Sequence, residues 1–199
     1  MMLIEQTNIP AGALPVAEMK AHLRLGTGFT DDGAQDGLVE SYLRGALAVI
    51  EGRIGKALIA RRFLWTIEDW RAGTEQALPV APVTGVVSVT LRDAVGVGVV
   101  VAATRYVLVQ DTHRPKIIAR EAMLPTVPDD GRIELVFDAG FGASWTAVPK
   151  DLLQAWMLLC AEYYERRHDV DGHVGGLPYA VQALIERWRT VRVLGGGAR

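Results

Sequence analysis

The apolar residues of this chain change their period twice. Up to about residue 56 they recur at three- and four-residue steps, between 57 and 148 they alternate every second residue, and from 149 the helical step returns. A period near 3.6 lines up one face of a helix and a period of two lines up one face of a strand. The chain therefore reads as helices, then strands, then helices. Each amphipathic helix needs a partner for its apolar stripe, so the simplest packing joins the outer segments in one bundle. The expected fold is α+β: a helical bundle from the N- and C-terminal helices with a central antiparallel β insertion. Its parts are 1–56 (helical), 57–148 (β insertion subdomain), 149–194 (helical, same bundle) and 195–199 (flexible tail).

After a polar lead-in, Leu14 to Arg24 predicts a short helix, with Pro15 in its first turn, Gly26 as its stop, and Val16, Met19 and Leu23 on one face. Asp31 and Asp32 are placed to cap a second helix whose stripe is Leu38, Tyr42, Leu43, Ala46, Leu47, Ile50 and Ile54, ending at Gly55. In the middle region, Phe63, Trp65 and Ile67 share one strand face, and Val87, Val89 and Leu91 another. Val97–Val101, Tyr106–Gln110, Lys116–Arg120 and Arg132–Asp138 are further strands. The connections are too short for helical crossovers, so the pairing is antiparallel, in a small sheet or sandwich. From Pro149 to His168, Leu152, Leu153, Trp156, Leu159, Cys160 and Tyr163 make a wide apolar face, and Tyr179–Leu194 carries a last helix with Val181, Leu184, Ile185 and Trp188.

Composition narrows the function classes. The 199 residues are 50% hydrophobic and 22% charged, a chain long enough to bury a core without disulfide or metal staples. With 21 lysines and arginines against 23 aspartates and glutamates, the net charge of -2 does not suit a protein that neutralises many phosphates. One cysteine, Cys160, excludes an intrachain disulfide and gives no sign of an oxidising compartment. The first ten residues lack a basic segment followed by an apolar one, and no uncharged run approaches the ~20 apolar residues of a membrane span. A soluble, cytoplasmically made protein with no membrane association is expected.

No motif for catalysis stands out. Gly52-Arg53-Ile54-Gly55-Lys56-Ala57 lacks the first glycine and the final hydroxyl of a phosphate loop and follows a helix instead of a strand, so it reads as a helix C-terminus. Ser144 has Gly142 before it but Thr146 after it, which is not a nucleophile elbow. Cys160 lies on an apolar helix face and reads as a buried, inert thiol. His22 and His113 are far apart and lack a paired nucleophile. The loop His168-Asp169-Val170-Asp171-Gly172-His173 carries metal-ligating types without a recognised spacing. It reads first as a solvated loop and, in an alternative, as the site of a small metal-dependent enzyme using His168, Asp169, Asp171 and His173. A second alternative is a generic peptide-binding module that uses a sheet edge as its template. No catalytic residue, metal ligand or cofactor is assigned.

The C-terminal stretch is more distinctive. Arg187, Arg189, Arg192 and Arg199 stand against Glu186, with Trp188, Val191, Val193 and Leu194 interleaved. This pattern is either a helix with an Arg-rich solvated side or a docking segment, since Arg and Trp are enriched at binding hot spots.

Several local sequences occur together and in order: Val16-Ala17-Glu18-Met19-Lys20-Ala21-His22-Leu23-Arg24 with Asp31-Asp32; Ile54-Gly55-Lys56-Ala57-Leu58-Ile59 before Phe63-Leu64-Trp65; Pro79-Val80-Ala81-Pro82-Val83 before Val87-Ser88-Val89; Phe137-Asp138-Ala139-Gly140-Phe141-Gly142; and Val148-Pro149 opening a helix that ends Tyr163-Tyr164-Glu165-Arg166-Arg167. In this order, over about residues 14 to 168, they resemble the phage head-tail connector (adaptor) family, including the version carried by gene transfer agents. The resemblance implies a non-enzymatic assembly protein forming a dodecameric ring beneath the capsid portal and bridging it to the stopper and tail. DNA would pass through its channel without specific binding. It also implies assembly in the bacterial cytoplasm, residence in the neck of the finished particle, and a C-terminal segment docked on the portal protein. Here that segment is Arg187, Trp188, Arg189, Val191, Arg192, Val193 and Leu194.

Overall fold

The computed structural model describes residues 1–25, 33, 35–167 and 176–189. Among the described residues four α-helices pack together: α1 (Val16–His22), α2 (Asp36–Ile54), α3 (Lys150–Glu165) and α4 (Tyr179–Ile185). Val39, Leu43, Ile50 and Ile54 of α2 meet Leu152, Trp156, Leu159 and Cys160 of α3 and Val181 and Ile185 of α4 in one apolar core, so the two ends of the chain do pack together. Trp156 lies at its centre, its indole Nε1–H donating to the Leu43 carbonyl at 2.7 Å. Among the described residues no helix is long and apolar enough to cross a membrane.

The α2 stripe is rotated slightly from the expected one. Val39 is fully buried whereas Leu38 is 42% exposed, because one residue step turns the helix by ~100° and the face toward α3 is set by Leu43, Leu47 and Ile50. The helix begins at Asp36, after Gln35, and Asp31, Asp32 and Gly26 lie outside the described residues. Gly55 ends it as expected, in the left-handed conformation at φ 67°. Pro15 immediately precedes α1 instead of opening its first turn. In α3, Tyr164 turns inward with its hydroxyl on Gln35 at 2.7 Å, while Tyr163 is only half-buried.

The β region is two antiparallel sheets. One has the order β1-β2-β8-β4-β5 and the other β3-β7-β6. The strands of the first are β1 (Met2–Glu5), β2 (Arg61–Ile67), β4 (Val83–Arg92), β5 (Gly98–Val100) and β8 (Arg132–Ala139); those of the second are β3 (Glu75–Ala77), β6 (Tyr106–Val109) and β7 (Lys116–Ala119). Phe63, Trp65 and Ile67 alternate into a second apolar core with Leu135, Phe137 and Ile117. Two expectations fail here. The polar lead-in is a strand, β1, paired with β2 from Met2↔Thr66 to Glu5↔Phe63. Val87 points out while Val89 and Leu91 point in, because the register slips between Val86 and Ser88. Such a bulge inserts one residue and reverses the alternation on its N-terminal side.

After β8 the chain turns toward α3 at Gly140, where φ is 138° and a Cβ would lie 2.3 Å from the Ala60 Cα. Both the conformation and the close approach require glycine. Gly140→Ala is expected to cost more than about 1 kcal/mol, read as a melting temperature lower by at least ~2–4 °C.

The bundle and the large sheet meet at a buried ion cluster. Arg61 on β2 donates from Nη1 and Nη2 to both Glu51 carboxylate oxygens on α2, at 3.0 and 2.7 Å, and from Nη2 to Glu5 on β1 at 2.7 Å. Glu51 Oε1 also accepts the Leu58 backbone N–H, at 2.6 Å. Burial lowers the Arg61 guanidinium, but the bonds and charges of Glu51 and Glu5 outweigh this and hold it above its ordinary value.

Candidate docking site

The end of α4 is built to fix one side chain. Pro178 precedes the helix, Val181 and Ile185 bury its inner face, and the chain tightens into a 3-10 turn at Glu186–Trp188 before Arg189 leaves in extended backbone. The single helix expected to reach Leu194 is thus broken at Glu186. Val191, Arg192, Val193 and Leu194 lie outside the described residues.

Trp188 is held from several sides. Its indole Nε1–H donates to Asp151 Oδ2 on α3 at 2.7 Å, and the Phe141 ring meets it edge-on with centroids 5.5 Å apart. His113 stacks at 6.2 Å. The Trp188 carbonyl accepts from Lys56 Nζ at 2.8 Å. Arg187 lies over the indole at 4.9 Å and pairs with the same Asp151 oxygen at 2.7 Å. Arg189 pairs with Glu186 at 3.1 Å and borders an open groove of about 1020 Å³ that Arg53, Arg71, His113 and Arg114 also line. Of the expected docking residues, Trp188 is therefore a fixed anchor on the body, whereas Arg187 and Arg189 keep largely exposed side chains.

Lys56 and Asp151 are the residues that sequence reasoning missed. Lys56 was legible only as the residue after a helix stop, yet its side chain is 1% exposed. Burial lowers its amine below the ordinary 10.5, and the nearby Asp111 carboxylate opposes that shift. Asp111 is itself held below the usual carboxylate range by the backbone N–H groups of His113 and Arg114. An amine with a lowered folded value binds fewer protons folded than unfolded, so stability rises with pH between that value and 10.5. Lys56→Met is expected to abolish that alkaline gain, with relief from burying the amine offsetting part of the lost bond to Trp188 at pH 7. The same change should speed amide exchange at Arg187–Arg189 about tenfold or more, since a charge-assisted bond is lost.

Among the described residues no three His, Cys, Asp or Glu side chains gather as a metal site; His168, Asp169, Asp171 and His173 lie outside them. Cys160 is buried and its thiol is pushed up to about 12 by desolvation, as expected for an inert thiol. Ser144 Oγ and Thr146 Oγ1 bond each other at 2.8 Å in the turn before α3.

No protein-family model matches the chain, and no curated protein matches it. Solved structures do. A chain in the neck of an empty gene transfer agent particle, computed with C6 symmetry, is 58% identical with a TM-score of 0.90, the match covering 98% of this chain and 99% of that one. A chain of the virion of a native gene transfer agent particle is 57% identical with a TM-score of 0.87, covering 98% and 99%. A chain in the neck of a native particle computed with C12 symmetry is 52% identical with a TM-score of 0.84, again covering 98% and 99%. Identity at this level along the whole length goes beyond a likeness of fold, and the chain belongs to the head-tail adaptor family represented in the necks of gene transfer agent particles.

Proposed function

We propose that this chain is one subunit of a closed ring, a dodecamer, in the neck of a gene transfer agent particle, joining the capsid portal to the stopper or tail. It serves as a structural part and carries out no catalysis. The observation that carries this reading is its likeness, over nearly its full length, to neck chains in particles treated with C6 and C12 symmetry. The near-balanced net charge of -2 suits a ring around DNA that passes without adhering. Assembly takes place in the bacterial cytoplasm, and the finished ring stays in the neck. The division of labour is also part of this proposal: segments 1–56 and 149–194 form the body, 57–148 the insertion, and 195–199 a tail.

The portal-docking role falls on the segment Arg187–Leu194, with Trp188 as its root and Arg189, Val191, Arg192, Val193 and Leu194 as the contacting residues. A chain cut after Gln182 would lose Ile185 and Trp188 from the bundle core, so the informative truncation is after Arg189. Deletion of the gene at its native locus should give filled heads without tails by electron microscopy, and normal tailed particles would overturn the adaptor reading. The truncation after Arg189 should give a folded chain that leaves heads untailed; normal attachment would remove the docking role.

A further inference from the structure

The largest concentrations of exposed apolar side chains among the described residues lie at the two free edges of one sheet. Met1, Met2, Leu3 and Ile4 run along β1, and Val95, Val97, Val99 and Val100 along β5 and the turn before it. Free edges in soluble proteins are usually blunted by charge, proline or a covering element, because their unpaired N–H and C=O groups template further pairing. Neither edge has such cover on its exposed apolar residues. At both, even the side chain that shares a face with the buried core is open: Leu3 sits opposite Trp65 and Val99 opposite Leu91, yet they are 39% and 66% exposed. The core face of the large sheet is thus left open at each end.

We propose that these edges are the two halves of the contact between neighbouring subunits, β5 of one copy lying against β1 of the next. The occupant is a second copy of this chain, and the inference rests on the ring reading above. A ring closed by rotation joins two different patches, the same pair at every interface, and β1 and β5 are such a pair on opposite sides of one subunit. Direction agrees as well. Every neighbouring pair from β1 through β2, β8 and β4 to β5 is antiparallel, so the first and last strands run in the same sense. Rotation by the small step of a many-membered ring nearly preserves that sense, and the two edges meet in parallel, with Leu3 and Val99 closing the apolar layer between copies. A two-fold contact, β1 on β1 or β5 on β5, would instead be antiparallel and would end at a dimer.

The test uses particles from cells producing the full chain as Leu3→Cys/Val99→Cys, treated with a short bismaleimide and run on a denaturing gel. Both substituted positions are exposed, so folding is not at risk, and Cys160 is buried in every variant. The expected result is a ladder of adaptor multimers extending past the dimer in the double variant, with each single variant remaining monomeric. A double variant that stays monomeric in normally tailed particles would overturn the edge contact and leave the adaptor reading standing. Dimers from a single variant would overturn the head-to-tail arrangement. Particles without this chain in their necks would overturn the ring reading beneath it. In a second arm, Val99→Lys/Val100→Lys is expected to lower the yield of tailed particles at least tenfold with the chain still folded; an unchanged yield would overturn the proposal.

Discussion

Replacing Arg61 by methionine is expected to cost the fold about 3–5 kcal/mol, because one partner of a buried ion pair is removed and the other is left without compensation. The guanidinium is only 6% exposed and ties α2, β1 and β2 together through Glu51 and Glu5. Without it, Glu51 keeps one backbone N–H, from Leu58, in a site from which water is largely excluded. Burial already raises the Glu51 carboxyl above its ordinary value against the pull of Arg61, and removing Arg61 raises it further. A carboxyl that holds its proton longer in the folded than in the unfolded chain loses stability as pH rises. The variant should therefore be closer to the parent at pH 5 than at pH 8. Urea unfolding at the two pH values reads both effects, as a lower midpoint at unchanged slope. The double variant Glu51→Gln/Arg61→Met keeps an acceptor for Leu58 and should recover a large part of the loss. A single-variant cost below about 1 kcal/mol, in the range of an exposed pair, would show that the cluster does not secure the joint.

Trp156→Ala is expected to cost a further ~3–5 kcal/mol independently of the joint, through the cavity left by the largest fully buried side chain. The indole fills the space between α2 and α3 and donates a second hydrogen bond to the Leu43 carbonyl, which also accepts within α2. Trp156→Phe keeps most of the volume and loses the N–H, so it separates the two contributions: a cost of about 1–2 kcal/mol is expected for the lost hydrogen bond and the smaller ring, the Leu43 carbonyl keeping its bond within α2. Calorimetric melting of both variants measures the difference. A phenylalanine variant as unstable as the alanine one would mean that the hydrogen bond, and not the packing, holds the two helices together.

The helices were readable because burial on one face writes a period into the chain. Leu43, Ile50 and Ile54, then Leu152, Trp156 and Cys160, carry it, and Gly55 marks its end by backbone geometry alone. The strands β2 and β8 were readable for the same reason. Where burial and period part, the reading failed. β1 was missed because all four of its residues are exposed and no alternation marks it. β3 is three residues long. Val87 was assigned inward because a bulge leaves no trace in composition. The site was harder still. Arg187 and Trp188 were visible as residue types, but Lys56 and Asp151 reach Trp188 from 132 and 37 residues away in the chain, and only the packing of α3 and α4 against the end of α2 brings them together.

The anchoring of Trp188 has a mechanical consequence. Under the docking role proposed for Arg187–Leu194, a tail that is pulled, or a head under internal pressure, would load each subunit at Trp188 and Arg189. Arg189 directly follows a residue tied at once to α3 through Asp151, to the turn after β8 through Phe141, and to the segment after α2 through Lys56. Traction at that point is divided among bonds of different direction, with no single helix end to peel away.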